Sequence, residues 1–202
     1  MKLDAIPFAC SLAVHIALRE ARLAHEVRWF ARASPHLRDR NPKGRVATLE
    51  CDDGTILTEN LAILLYIADR APEAKLAPPS GTPERQRLYE WLSFIATELH
   101  KQVLWAWFDP AVPEAMEAHV ATALLPDLLR HPAEALAQQP FLLGEDFSVA
   151  DAYLFWSLLL IPRLGVKLDA YPSLVAFRDA VMPRSSVREV LTLERRALAV
   201  PP

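Results

Sequence analysis

The segment 71–83 divides the chain into two parts with different hydrophobic patterns. It holds four prolines, a serine and a glycine, and no apolar periodicity, which is typical of a linker. Before it, short apolar runs of strand length alternate with helical patterns, whereas from Glu84 onward only helical periodicity remains. We therefore predict an α/β domain at residues 1–76, a linker at 77–83 and an all-helical domain at 84–202.

The first part predicts a small sheet with helices packed on it. Strand patterns cover residues 2–6, 26–30, 46–51 and 55–57, and helix patterns cover 11–23 and 60–70. The first strand, helix and second strand form a crossover unit, which makes parallel pairs, and Asp52-Asp53-Gly54 predicts a hairpin turn between the last two strands. Thr58 is the expected N-cap of the second helix. This order of elements describes a thioredoxin-like domain.

Composition and spacing exclude several classes of function. The net charge is −3, and no basic patch with interleaved aromatic residues indicates nucleic acid. The longest nearly uncharged apolar run, 152–163, is shorter than the ~20 residues that cross a bilayer. The six histidines lack the spacing of metal ligands, and the glycines form no phosphate-binding loop. Two cysteines without a Cys-x-x-Cys pair, and no signal-peptide pattern, favour a cytoplasmic protein.

Cys10 lies where the first strand pattern gives way to the first helix pattern. The unpaired N–H groups and positive dipole end of a helix N-terminus favour an anion, so a cysteine there ionises more readily than a free thiol. The thiolate is the nucleophilic form. The alternative is that Cys10 is simply a small buried apolar residue.

A row of polar side chains and two prolines in the helical part bear on its structure and function. Ser93, Thr97 and His100 follow one another at helical spacing, either as a solvated face or as the border of a cleft. Pro126 and Pro132 interrupt a helical stretch at 113–139, where we expect a break or kink.

The stretch 147–151 predicts a capped helix start. Ser148 and Asp151 have the spacing of a capping box, with Asp in place of the usual Glu. The apolar run that follows, from Ala152 to Ile161, predicts a central buried helix. We therefore interpret Asp151 as a structural residue and not as a catalytic carboxylate.

From Met1 to about Leu198 the chain resembles bacterial glutathione transferases of the beta class. The matching stretches, in order, are Ala9-Cys10-Ser11-Leu12-Ala13, Asn41-Pro42-Lys43-Gly44, Asp52-Asp53-Gly54-Thr55, Leu57-Thr58-Glu59, Ile95-Ala96-Thr97-Glu98-Leu99-His100-Lys101 and Ala150-Asp151-Ala152-Tyr153-Leu154-Phe155. The resemblance implies a thioredoxin-like domain followed by a helical bundle, a homodimer, and glutathione as co-substrate with no further cofactor.

The resemblance also implies roles for residues of the first part. Cys10 would face the glutathione sulfur, as a mixed-disulfide partner or as a hydrogen-bond neighbour of the thiolate. The backbone of Val46 would pair with the cysteinyl unit as an added strand does. Glu59 would meet the γ-glutamyl ammonium, and Asn60 with the free N–H groups at its helix start would hold the γ-glutamyl carboxylate.

The helical part would close the site. By resemblance, Thr97, His100 and Lys101 complete the glutathione site, with His100 and Lys101 near the sulfur and His100 counted with Cys10 as catalytic. Trp105 and Trp107 would contribute to an apolar pocket for the electrophile.

Several residues depart from the family pattern. Ala47 stands where a cis-proline is usual, and since a cis bond without proline costs ~3–4 kcal/mol, we expect the Val46–Ala47 bond to be trans or strained. Phe8 stands where glycine is usual, and Asp4 and Ala5 replace aromatic residues.

The primary prediction is conjugation of glutathione to a small hydrophobic electrophile, with thiol–disulfide exchange at Cys10 as a possible addition. A non-catalytic binding or regulatory protein of this fold and a glutathione-dependent disulfide reductase or lyase are the alternatives.

Overall fold

The computed structural model describes residues 1–105, 109 and 111–199. The chain forms two compact units. The first unit combines Met1–Ala77 with the segment that begins at Pro183, and the second unit is Pro78–Met182.

The first unit is built on a four-stranded sheet. Its strands are β1 (Lys2–Ala5), β2 (Glu26–Trp29), β3 (Thr48–Glu50) and β4 (Ile56–Thr58), in the order β2-β1-β3-β4. β1 pairs in parallel with β2 and antiparallel with β3, which pairs antiparallel with β4. The prediction of a thioredoxin-like domain is confirmed.

Two helices of the first unit, α1 (Ser11–Glu20) and α3 (Asn60–Arg70), begin close to the predicted positions. A short helix between them, α2 (Leu37–Arg40), has no counterpart in the sequence prediction. Leu12, Ile16 and Leu18 of α1 are fully buried. The expectation of Thr58 as N-cap is wrong, because Thr58 is the last residue of β4 and Glu59 occupies the N-cap position of α3.

A buried carboxylate in β1 takes part in an ion network across the sheet. Asp4 is fully buried, and its Oδ1 accepts a hydrogen bond from Arg28 Nε at 2.6 Å. Arg40 Nε lies 3.4 Å from the other carboxylate oxygen, and both arginines also bond Glu50. A buried charge needs such partners, and the two arginines supply them to Asp4.

The second unit is helical throughout its regular structure. It contains α4 (Pro83–Phe94), a π-helical segment (Ile95–Leu104), α5 (Glu114–His119), a second π-helical segment (Val120–Leu124), α6 (Leu125–Leu136), α7 (Val149–Leu160) and α8 (Pro172–Val181). The helix does not break at Pro132, because α6 continues through that buried proline to Leu136. At Pro126 the helix type changes, and that proline sits in the first turn of α6, where its missing N–H requires no partner.

The capping box before α7 is present as predicted. The Asp151 carboxylate is fully buried and accepts hydrogen bonds from Ser148 N at 2.8 Å, Ser148 Oγ at 2.6 Å and Leu142 N at 2.8 Å. The helix that it starts is the core of the unit, with Tyr153, Phe155 and Trp156 buried. Within the ranges that the structure describes, no helix is both long enough and apolar enough to span a bilayer.

The last helix, α9 (Ser185–Ala199), belongs to the first unit. The purely helical pattern of this segment predicts that it belongs to the helical domain at 84–202. In the structure α9 packs against α1 and buries Val187, Val190 and Leu191. At one end, Arg184 Nε and Nη2 donate to the two carboxylate oxygens of Glu20 at 2.8 and 2.9 Å.

Candidate active site

Cys10 occupies the N-cap position of α1, directly after the turn that leaves β1. Its side chain is buried, with 7% exposure. The thiol donates a hydrogen bond to the carbonyl oxygen of Val46 across 3.2 Å. In this arrangement the sulfur contacts the backbone just before β3.

Asn60 connects α3 to the cysteine. Its side-chain amide donates to the carbonyl oxygen of Cys10 at 2.8 Å, and the residue is 6% exposed. The amide group therefore supports the turn at Cys10, a contact that the sequence analysis did not anticipate. The first backbone N–H groups of α3 have no intrahelical partner, as at any helix start, and they remain the groups suited to an anion.

The Val46–Ala47 peptide bond is cis. Of the two alternatives expected here, a trans or a strained bond, the trans alternative is wrong, because the bond is cis although proline is absent. Neighbouring groups anchor the segment from both sides. The Asn41 side chain donates to the carbonyl of Arg45 at 2.7 Å, and the Cys10 thiol bonds the carbonyl of Val46.

Two residues beside the cysteine site have positive φ angles. Phe8 has φ 59°, in the left-handed region that glycine favours. The resemblance implies a glycine at this position, and glycine adopts such an angle without steric cost. Glu59 has φ 73° and ψ 123°, an arrangement that is uncommon outside functional loops.

Glu59 lies at the open side of this group. Its carboxylate is 60% exposed and pairs with the ammonium of Lys43, which also donates to Thr58 Oγ1 at 3.1 Å. Lys43 is not among the site residues predicted from the sequence, although this lysine lies in the Asn41–Gly44 stretch. The pair places a carboxylate and an ammonium next to the start of α3.

The predicted residues of the second unit share the π-helical segment Ile95–Leu104. His100 Nδ1 and the Tyr153 hydroxyl are hydrogen-bonded at 2.6 Å, and the imidazole packs edge-on against Trp156. Thr97 and Lys101 are exposed, and Thr97 Oγ1 donates back to the carbonyl of Ser93 at 3.0 Å. Tyr153 is thus a partner of His100 that helical spacing within one segment could not reveal.

Two tryptophans, Trp105 and Trp107, are predicted to contribute to the electrophile pocket. Trp105 follows the π-helical segment and is 41% exposed. Trp107 lies outside the described residues.

The first unit thus brings four predicted residues together at the starts of α1 and α3, namely Cys10, Val46, Glu59 and Asn60. The second unit carries Thr97, His100 and Lys101 on one π-helical segment, and Trp105 follows it. The first unit has a thioredoxin-like sheet with a cysteine at the start of its first helix, and an all-helical unit follows it in the chain. This combination is typical of a class of proteins that bind thiol compounds. Comparison with known proteins identifies the family within this class.

The chain belongs to the glutathione S-transferase family. The family model described as the glutathione S-transferase N-terminal domain matches residues 9–70, and the C-terminal domain model matches 85–185. The chain is 37% identical to glutathione S-transferase GstA of Escherichia coli O157:H7, over 96% of this chain and 98% of that protein.

Solved structures of bacterial relatives agree. A sphingomonad glutathione S-transferase complexed with glutathione is 38% identical with a TM-score of 0.90, over 96% of this chain and 99% of that one. A beta-class glutathione S-transferase of Sphingomonas chungbukensis is 39% identical with a TM-score of 0.89, over 96% and 98%.

Proposed function

We propose that this protein is a glutathione transferase that joins the sulfur of glutathione to a small hydrophobic electrophile, with Cys10 beside the reacting sulfur. The observation that carries the proposal is the contact between the Cys10 thiol and the Val46 carbonyl at the start of α1. Family membership and the glutathione-bound sphingomonad relative support the choice of co-substrate.

Docking of glutathione would exchange one hydrogen bond at Val46 for another. The cysteinyl N–H of the peptide needs a backbone carbonyl as an added strand does, and Val46 offers one. When this N–H occupies the carbonyl, the Cys10 thiol is released to donate to the glutathione sulfur. Cys10 is therefore proposed as a hydrogen-bond donor.

The charged ends of glutathione have matching groups in the first unit. The Glu59 carboxylate would bind the γ-glutamyl ammonium, in competition with the Lys43 ion pair. The N–H groups at the start of α3 would bind the γ-glutamyl carboxylate, with Asn60 supporting the Cys10 carbonyl behind them. From the second unit, Thr97, His100 and Lys101 would complete the site, and Trp105 and Trp107 would contact the electrophile.

The reaction is a nucleophilic attack of the glutathione sulfur on an electrophilic carbon. Glutathione loses its thiol proton, and the thiolate forms the sulfur–carbon bond. In a substitution the leaving group departs with its electron pair, and in an addition the π electrons move to the neighbouring atom, which takes up a proton. The Cys10 thiol and the cationic side chain of Lys101 would stabilise the negative charge on sulfur. His100, held by Tyr153, would accept or return the proton.

Three broader assignments accompany this proposal. We place the protein in the beta class, on its likeness to the Sphingomonas chungbukensis enzyme, and in the cytoplasm, since both cysteines are free thiols. We also propose a homodimer, because Leu61 and Leu65 of α3 are apolar and only half-buried in the single chain. Light scattering on the purified protein would test the dimer, which a monomer mass would exclude.

The test of function combines binding and turnover. Calorimetry with millimolar glutathione should show binding, and a conjugation assay with a chlorinated nitrobenzene should show activity. We expect Cys10→Ala to retain glutathione binding in part and to lose about tenfold in kcat. This is less than the roughly 100-fold loss of a stronger donor to a developing anion, because a thiol is a weak donor.

Cys51→Ala is the matched control, because Cys51 is also a buried free cysteine but lies between β3 and β4. It should leave both measurements within about twofold. Absence of glutathione binding at millimolar concentration would refute the proposed function. Full activity in Cys10→Ala would remove Cys10 from the mechanism and leave the transferase assignment standing.

A further inference from the structure

The loop that presents Cys10 is held from the far end of the chain. The backbone N–H of Phe8, two residues before the cysteine, donates to Glu194 Oε2 at 2.6 Å. Glu194 belongs to α9, 186 residues further along the sequence, and its side chain is fully buried. At 2.6 Å this bond is shorter than the 2.8 Å bond by which the Asn60 amide holds the Cys10 carbonyl.

We propose that Glu194 is a positioning residue for Cys10, acting through the backbone of Phe8. The inference rests on the proposed function, because that function assigns Cys10 a role that depends on its position. It adds a residue of α9 to the machinery of a site otherwise formed by the starts of α1 and α3.

The conformation of Phe8 shows why this turn needs an external partner. A non-glycine residue at φ 59° is held in a sparsely populated conformation and persists where its surroundings fix it. The Glu194 carboxyl group accepts the N–H of this residue. Without that acceptor, the turn is free to relax toward negative φ, and the backbone leading into Cys10 moves with it.

The surroundings of Glu194 indicate a role beyond packing. Among the described residues its second oxygen, Oε1, has no hydrogen-bond partner, and the nearest basic atom, Nδ1 of His15, is 3.9 Å away. Both side chains are fully buried. A carboxyl group in a buried site with half of its hydrogen-bonding capacity unused is costly, and a hydrocarbon side chain of similar size would avoid that cost. The one hydrogen bond that the group makes is to the cysteine loop.

A second carboxylate offers a comparison at the other end of the same helix pair. Glu20 of α1 accepts from Arg184 and from the hydroxyl of Ser186, at the start of α9. Glu20 and Glu194 both tie α9 to α1, but Glu20 lies at the opposite end of α1 from Cys10. If both carboxylates had a purely structural role, replacing either of them would have the same effect on the reactivity of Cys10.

The experiment measures the alkylation rate of Cys10 by iodoacetamide as a function of pH, in full-length protein with Cys51→Ala so that one thiol reports. We expect Glu194→Leu to change the rate by about tenfold or to shift the pH midpoint of alkylation, because a displacement of the reacting group of about 1 Å has effects of that size. Glu194→Gln keeps an acceptor for Phe8 N–H and should stay within about twofold of the parent. Glu20→Leu should lower stability and leave the alkylation profile unchanged.

In the conjugation assay Glu194→Leu should lower kcat more than it raises KM for glutathione, with Glu194→Gln restoring the parent value. An alkylation profile of Glu194→Leu equal to that of the parent, or a change of equal size in Glu20→Leu, would overturn the proposal. If Glu194→Leu does not fold, Glu194→Asp replaces it, because its shorter side chain retracts the carboxyl group from Phe8. An unchanged alkylation profile in that variant would likewise overturn the proposal. Alkylation needs neither glutathione nor turnover, so these outcomes are separate from a failure of the transferase assignment.

Discussion

At the scale of single residues, the pair of buried titratable groups beneath the cysteine loop sets a pH dependence. Burial raises the pKa of Glu194 to about 8 and, with the charge of Arg19, lowers the pKa of His15 to about 4. Both groups are therefore neutral near pH 6. The sequence offers no sign of this pair, because Glu194 falls among charged residues of a helix whose other acidic and basic side chains are exposed.

We expect Glu194→Gln to be more stable than the parent at alkaline pH. The folded state holds the Glu194 proton up to about pH 8, whereas the unfolded chain loses it near 4.5. Stability from this group is therefore complete below the unfolded value and declines as pH rises through the folded value. Urea unfolding at about pH 5 and about pH 9 should show a gain by the variant of at least about 1 kcal/mol between the two conditions.

His15 titrates in both proteins, so its contribution largely cancels in this comparison. A difference between the two proteins that is the same at both pH values would contradict the assignment of a neutral, buried Glu194.

The φ angle of Phe8 has a measurable energetic consequence. Phe8→Gly and Phe8→Ala both remove the ring, but only glycine adopts φ 59° without a steric penalty. We expect the glycine variant to be more stable than the alanine variant by about 1 kcal/mol in urea unfolding. The reverse order, as found at an ordinary negative-φ loop position, would show that the turn does not require the left-handed conformation.

At the scale of elements, hydrophobic pattern and turn chemistry predict most of the fold. Strand and helix patterns place all four strands and the starts of α1 and α7 within about two residues, since periodicity and caps are local properties. The π-helical segments and the passage of α6 through Pro132 could not be predicted, because burial and packing decide them. The same limit applies to the site. Cys10 and Glu59 lie in stretches that the sequence resemblance identifies, whereas the contact of Glu194 with the cysteine loop depends on tertiary structure and has no local pattern.

The capping box before α7 gives an element-scale test. Asp151→Ala leaves the N–H groups of Ser148 and Leu142 without their buried acceptor, and we expect a loss of about 3–5 kcal/mol in the free energy of unfolding. Asp127→Ala is the control, since Asp127 also lies in a helix first turn but is 74% exposed and pairs with the exposed Arg130. It should cost less than about 1 kcal/mol. Similar losses in the two variants would contradict a structural role specific to Asp151.

At the scale of the whole molecule, the first unit is assembled from two stretches of chain separated by the second unit. Residues of α1 such as Leu18 and Ala17 are buried in a unit that α9 completes. The predicted boundary at residue 84 follows composition, which changes where the sheet ends. Composition cannot register a helix that returns to an earlier unit.

Truncation of the chain after Met182 tests this organisation. We expect the shortened protein to lose hydrogen-exchange protection in α1 by about tenfold or more, because it lacks both the apolar cover of Val187, Val190 and Leu191 and the two carboxylate ties. Protection in α7, which belongs to the second unit, should change much less. Equal loss in the two helices would show that the units do not open independently.

The discontinuous first unit also bears on synthesis of the protein. Residues 1–77 leave the ribosome before the second unit, but the helix that covers α1 and holds the cysteine loop is made more than a hundred residues later. The second unit, which is continuous in the chain, can complete its core before α9 is available to the first unit. The cysteine-bearing stretch is thus made before the second unit but completed after it, so that its loop reaches the final conformation only once α9 has been made.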